Sequence, residues 1–284
     1  MRAYTAQIIP NNIQMLQFEV KEYELHILAK GWDNLRQSTC LEMLKDAHDF
    51  YKPRHVPVTR IVIDDKFDYG NMGNERIFCF STSVNNSQYL IPDSYAKKWT
   101  EIGVPSVPKK CIEIEEAGRL GYTVDMAFWI GVASTHATRA TLIEISKMRP
   151  DLIDARDMSW NNHKVVAHEI PEFVSLERHT DFRYLIDVQG NGWSGRLKYL
   201  LFSGRPVFVA QRKWWDWATW DLVAWVHYIP VEENLSDLVD KITWAREHND
   251  EATKIAATAK EFITDRMSRV MSPEGMGKLF AGFL

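Results

Sequence analysis

Tyr184-Leu-Ile-Asp-Val-Gln-Gly-Asn-Gly-Trp-Ser-Gly-Arg-Leu-Lys-Tyr-Leu-Leu-Phe-Ser-Gly204 is the stretch that decides the fold class. It begins with an apolar strand run, 184–188. Gly190-x-Gly192-x-x-Gly195 makes a turn, and 196–202 reads as a helix closed by Gly204. A second apolar strand follows at 206–210. Strand, turn, helix and strand in that order mark an α/β fold with a mostly parallel sheet. Glycines let the backbone approach a ligand, and the free N–H groups of a helix start attract phosphate. Arg196 and Lys198 add positive charge at the same place.

The same alternation continues outward. Downstream come a strand at 225–231 and helices at 236–247 and 250–271. Upstream lie an apolar strand at 126–132, a helix at 138–148 stopped by Pro150, a short strand at 152–155, and a helical or irregular run at 175–183. The first part reads as β at 18–29, helix at 33–49, a strand at 60–63 ending in Asp64 and Asp65, a loop at 68–74, a strand at 76–81 and a loop at 85–92. Pro105 and Pro108 make 104–110 look like a linker. A boundary near 107–116 is therefore expected, with two α/β halves and a ligand cleft at their junction.

With 284 residues, 45% hydrophobic and 25% charged, the chain has ordinary globular composition. A net charge of −4 without a basic stripe argues against nucleic-acid binding. Cys40, Cys79 and Cys111 form no CxxC pair and read as free buried thiols of a reducing compartment. No apolar stretch approaches the ~18 residues of a membrane span, and no signal segment stands out, so a cytoplasmic protein is expected. Six of the eleven Trp fall within 193–225, which fits a core layer or the lining of a cleft.

The glycine spacing also matches the dinucleotide fingerprint. That fingerprint needs an acidic residue after the next strand, where this chain has Gln211, Arg212 and Lys213. The third reading is a glycine turn serving only tight strand–helix packing. Histidines His136, His163, His168 and His179 have no zinc-site spacing, and His227 reads as a packed strand histidine.

A second block, Trp225-Val-His-Tyr-Ile-Pro-Val231 followed by Asn234-Leu-Ser-Asp-Leu238, joins the first in order and separation. Together they resemble the CAP10-type glycosyltransferases, the family 90 group. The resemblance is strong over 127–263, weaker over 57–92, and slight before that. It implies a GT-B-like fold, two Rossmann-like domains facing a cleft. Residues 1–115 would bind the acceptor. Residues 116–284 would bind the donor, with the last helix returning to the first domain. It implies an inverting enzyme that moves glucose or xylose from a UDP-sugar to a glycan hydroxyl, with no metal or other cofactor.

The resemblance also assigns site residues. Arg196 matches the family arginine on the donor diphosphate, and Gly190, Asn191, Gly192, Trp193, Ser194 and Gly195 match its phosphate-cradling turn. Arg139, after Gly131-Val-Ala-Ser-Thr135, resembles a second diphosphate arginine. Val132 stands where a serine is usual, so Ser134 or Thr135 is expected to supply that hydroxyl. Asp216 falls on an acidic family position. One of Trp214, Trp215, Trp217 and Trp220 is a candidate for sugar stacking, with core packing as the default.

Inverting transfer needs a carboxylate base for the acceptor hydroxyl. Asp64 and Asp65 end a strand of the first half, and aligned on that strand Asp65 matches the family base. One of the pair can instead cap the following turn. Read as a metal-holding pair, they would describe a GT-A enzyme, but the phosphate turn and arginines lie in the other half. An NAD-dependent oxidoreductase and a non-catalytic nucleotide-sugar-binding protein remain as alternatives.

Overall fold

The computed structural model describes residues 15–30, 35–67, 77–83, 90–159, 169–170, 172–270, 272 and 274. The loop expected at 68–74, most of that at 85–92, and His163 and His168 lie outside the described residues.

The quoted stretch sits at the centre of a five-stranded parallel sheet. Its strands are β6 (Val124–Gly131), β7 (Ile153–Asp157), β8 (Phe182–Asp187), β9 (Val207–Ala210) and β11 (Ile229–Val231), in the order β11-β9-β8-β6-β7. β8 and β9 are buried on both faces, as strands covered by helices on each side must be. Crossover helix α3 (Ala137–Met148) links β6 to β7, and α4 (Leu197–Phe202) links β8 to β9. Helices α5 (Leu238–Glu247) and α6 (Asn249–Ser268) follow β11. Strand order reverses between β6 and β8. In open α/β sheets that reversal leaves a crevice at the carboxyl ends of the strands.

The first half carries a mixed sheet, in the order β2-β1-β3-β4, made of β1 (Met15–Lys21), β2 (Glu24–Ala29), β3 (His55–Val62) and β4 (Ile77–Cys79). Only β3 and β4 pair in parallel. The β region read at 18–29 is an antiparallel hairpin, turning at Glu22 and Tyr23 with φ of 47° and 71°. A hairpin needs no crossover helix, so this half departs from the parallel alternation expected of it. Helix α1 (Leu35–Tyr51) follows the hairpin and buries Cys40, Met43, Leu44 and Ala47 in the core.

Where a linker was expected, the chain forms α2 (Val107–Arg119). Pro108 lies in the first turn, where a missing N–H costs nothing. Val107, Cys111 and Ile114 then recur at helical spacing and are buried. Gly118 packs so closely on the Ser203 carbonyl of the other half that a Cβ would not fit. One hydrophobic core accordingly includes Phe18, Ile61, Ile114, Leu200 and Met267. A two-stranded ribbon also joins the halves, pairing β5 (Ser81–Ser83) with β10 (Trp214–Asp216). Lys260 of α6 reaches Glu115 at 3.0 Å.

The strand expected at 225–231 shrinks to Ile229–Val231. Trp225 adopts φ 64° and donates its N–H to the Tyr228 carbonyl at 2.8 Å, which closes a turn. His227 belongs to that turn and not to a strand; its Nδ1 accepts the Val223 N–H at 2.9 Å. The three cysteines are free and buried. Among the described residues no helix is long and apolar enough to cross a membrane.

Candidate active site

A cavity of about 600 Å³ opens at the carboxyl ends of β6 and β8. Ile130, Gly131 and Val132 come from the end of β6, and Gly190 to Arg196 from the turn after β8. Arg36 of α1 and Asp65, just beyond β3, face them from the first half. Ser134, Thr135 and Arg139 line the same space.

The glycines earn their places differently from the sequence reading. Gly192 is pressed on the backbone of Asp65, leaving no room for a Cβ beside its carbonyl oxygen. At Gly195 a Cβ would lie 2.7 Å from the Tyr95 ring. Gly190 is less crowded, with Arg139 Nη2 at 3.4 Å from the same added atom. All three keep φ outside the left-handed region. Gly192 and Gly195 are thus required where the two halves touch, and tight packing explains them without a ligand.

Trp193 and Ser194 are spoken for within the protein. The Trp193 indole N–H donates to Asp93 Oδ2 at 2.8 Å, which ties the turn to the first half. The Ser194 hydroxyl donates to Asp187 Oδ1 at 2.7 Å. Asp187, fully buried at the end of β8, also pairs with Arg212 at 2.7 Å and lies 3.9 Å from Arg196 Nε. Arg139 donates to the carbonyls of Gln189 at 2.8 Å and Val132 at 3.2 Å, and Arg196 to that of Ile130. Both arginine side chains approach the Trp129 ring.

Charge at this wall is unbalanced. Among the described residues, Arg139, Arg196 and Arg212 share one carboxylate, Asp187. Burial, reinforced by Arg196, lowers the Arg139 pKa to about 10. Burial likewise lowers that of Arg196, with Arg212 adding to the effect against the opposing pull of Asp187. Like charges packed into a partly desolvated wall favour an incoming anion, which relieves their repulsion.

The opposite wall is balanced. Asp65 pairs through Oδ1 with Arg36, and its Oδ2 accepts from Asn191 Nδ2 at 3.1 Å. Arg36 also donates to the Tyr95 hydroxyl at 3.1 Å. Burial opposes the charge on Arg36, but Tyr95 and Asp65 outweigh it and raise its pKa. Asp64 turns away from this chemistry: its Oδ1 caps the Asp65 N–H at 2.8 Å. Of the two aspartates, one holds the turn and the other faces the cavity.

Met158, Phe173, Val174 and Leu176 add apolar surface to the lining. His179 is also among the lining residues and is 3% exposed. Burial, then the nearby Arg196, drops its pKa to about 3, so the ring is neutral.

Some expected site residues lie elsewhere. Asp216 does not line the cavity. It is buried beside Lys198, 3.0 Å away, and accepts from the Thr219 hydroxyl. Lys198 is buried too, and also pairs with Asp93 at 2.9 Å. Its charge is therefore answered inside the protein and is not offered to a phosphate. Trp214, Trp215, Trp217 and Trp220 also lie outside the lining; Trp99 and Trp193 are the indoles that line it. Ser134 stands at the mouth, with its N–H donated to Ser159 Oγ at 3.1 Å. Sequence reasoning missed Arg36, Asp93 and His179, which no local motif marks. Asp187 was read as one more strand residue, although an aspartate inside an apolar run was itself a signal of a buried partner.

The model of the family described as glycosyl transferase family 90 matches residues 57–281. Protein O-glucosyltransferase 2 of Danio rerio is 31% identical over 145 residues, covering 49% of this chain and 28% of that protein. Protein O-glucosyltransferase 1 of Homo sapiens is 30% identical over 137 residues, covering 47% and 35%. The chain spans about a third of the length of the curated relatives it matches. Among solved structures, Anabaena Alr3699/HepE in complex with UDP and glucose aligns with a TM-score of 0.39 at 12% identity, covering 62% of this chain and 52% of that one.

Proposed function

Because the chain belongs to glycosyl transferase family 90, we propose that it transfers a sugar from a UDP-sugar to a hydroxyl of a glycan acceptor, with inversion at the anomeric carbon. The observation that carries this reading is the pairing of two walls across one cavity. An arginine-rich wall with charge left over faces a carboxylate poised on the other side.

In this reading Arg196 and Arg139 hold the diphosphate. The acceptor hydroxyl replaces Asn191 at Asp65 Oδ2 and gives its proton to that oxygen while attacking the anomeric carbon. The bond from that carbon to the diphosphate oxygen breaks, and the arginines meet the charge that develops on the leaving group. This is a metal-independent route, since cationic side chains do the work a divalent ion would do. Arg36 remains on Oδ1 and fixes the direction of the carboxylate. Residues 1–115 then serve the acceptor and 116–284 the donor. The O-glucosyltransferase relatives favour glucose as the sugar, with xylose as the close alternative.

The test is a turnover screen with UDP-glucose, UDP-xylose and ADP-glucose, in the presence of EDTA. UDP release from one of the UDP-sugars, unaffected by the chelator, is expected. Binding of NAD with no binding of UDP would return the glycine turn to the dinucleotide reading. UDP binding with no release from any donor would favour a non-catalytic binding protein.

A further inference from the structure

One short loop of the first half lines the cavity with side chains that the transfer step does not use: Trp99, Glu101 and Ile102. The loop is tied at its base. Trp99 and Val104 exchange both backbone hydrogen bonds, at 2.7 and 2.9 Å, and a single 3₁₀ turn, Thr100–Ile102, lies between them. Gly103 closes that turn with φ 74°, a conformation that suits glycine. The Trp99 ring stacks on Tyr95, with centroids 4.2 Å apart and planes at 26°. Side chains placed in this way have little freedom left to lose when a ligand binds.

The loop adjoins the carboxylate. The Tyr95 hydroxyl accepts from Arg36 at 3.1 Å, and Arg36 pairs with Asp65. Burial raises the Tyr95 pKa against the pull of Arg36, and Asp93 and Glu101 add to the rise, so Glu101 stands near this hydroxyl. Glu101 is exposed, and a carboxylate can only accept. The indole N–H of Trp99 can only donate. Among the described residues it has no partner, and it is open to solvent. A donor, an acceptor and the apolar side chain of Ile102 thus share one loop beside Asp65. Neighbouring hydroxyls of a sugar ring match that pattern, since each both donates and accepts and C–H groups lie between them. A serine of a polypeptide brings one hydroxyl, which Asp65 alone would engage. Arg36 against Asp65 and Glu101 leaves acidic side chains in excess on this side of the lining, which disfavours an anionic sugar.

We infer that this loop holds the acceptor as a neutral sugar: the Trp99 indole N–H donates to one hydroxyl oxygen and Glu101 accepts from a neighbouring hydroxyl, while the hydroxyl that attacks lies at Asp65. The inference rests on the transfer reading above and names the class of acceptor for that same cavity. Trp99 and Glu101 are here binding and specificity residues. Neither touches a reacting atom.

Stimulation of UDP release from UDP-glucose and UDP-xylose by added acceptors tests it on the full chain. The probes are the p-nitrophenyl glycosides of glucose, galactose, mannose and xylose, p-nitrophenyl glucuronide, and a serine-containing peptide. At least one neutral glycoside should stimulate release above the rate with donor alone, and the glucuronide and the peptide should not. With that glycoside, Glu101→Ala and Trp99→Phe should each raise the acceptor KM about tenfold, the loss of one hydrogen bond. Glu101→Gln keeps an acceptor oxygen and should recover part of the loss. Trp99→Phe keeps a ring against Tyr95. In all three variants kcat and the UDP dissociation constant should stay near wild type, whereas a purely structural role would move both. A wild-type acceptor KM in either Glu101→Ala or Trp99→Phe would overturn the role of that residue. Stimulation by the peptide or the glucuronide and by no neutral glycoside would overturn the class of acceptor, and that comparison needs no variant to fold. If UDP binds and no probe stimulates release, the acceptor assignment falls alone. If UDP does not bind, the donor reading fails along with it.

Discussion

At the glycine turn, three arginines share Asp187; across the cavity, Asp65 is matched by Arg36 and tied to Asn191. The two walls belong to different sheets and follow different electrostatic plans. The first keeps positive charge in excess, at a cost to the unliganded protein, and so is suited to receive an anion. The second spends its charge internally and holds a carboxylate in place between Arg36 and Asn191. A site of this kind divides labour between affinity and chemistry, so changes to the two walls should have separable effects.

The largest effect is expected at the Asp65 wall. Asp65→Asn should lower kcat for sugar transfer by roughly 10²–10⁴-fold, the range for loss of a general base. The UDP dissociation constant should hardly move. A variant with wild-type turnover would break the division outright.

At the other wall Arg196→Ala should do the reverse. Removing one member of a buried charge pair costs a few kcal/mol, or about a hundredfold in the UDP dissociation constant measured by calorimetry. Stability without ligand should change less than affinity does, since the substitution also relieves repulsion from Arg139 and Arg212. Equal losses in both would mean that Arg196 serves packing more than binding.

The smallest effect concerns the contact between the walls. Gly192→Ala places a methyl group against the Asp65 backbone and should destabilise the protein by roughly 1–3 kcal/mol in urea unfolding, as overpacking does. Gly190→Ala meets its neighbours at 3.4 Å and should cost less. If the two variants are equally stable, the glycines do not mark where the halves press together.

Much of this was legible beforehand, where the signal was local. Apolar runs at 126–132, 184–188 and 206–210 became β6, β8 and β9, because a strand buried on both faces must be apolar throughout. Gly204 has φ 67° just past α4, as a helix-closing glycine should. The chain also brought Asp65 and Arg196 into one cavity from 131 positions apart, as the family resemblance implied. The misreadings came from local signals with two meanings. Pro108 marks a linker or a first helical turn, and only the burial of Val107, Cys111 and Ile114 chose the helix. Trp225 to Tyr228 has strand-like composition, yet it turns back on itself.

Lys198 and Arg196 mark the limit of what the sequence could decide. They stand two residues apart beside the same glycines, and by sequence alone both offered a cation to phosphate. Positions two apart at a helix start point to different sides. One side meets Asp93 and Asp216, which come from distant parts of the chain and neutralise Lys198 in the core. The other opens on the cavity, where among the described residues the carboxylate beside Arg196 is Asp187, already paired with Arg212. The sequence by itself determined the strands, the turn and the supply of charge. Which charge was left to bind a ligand was decided by tertiary structure, because neutralisation depends on partners through space that no local pattern records.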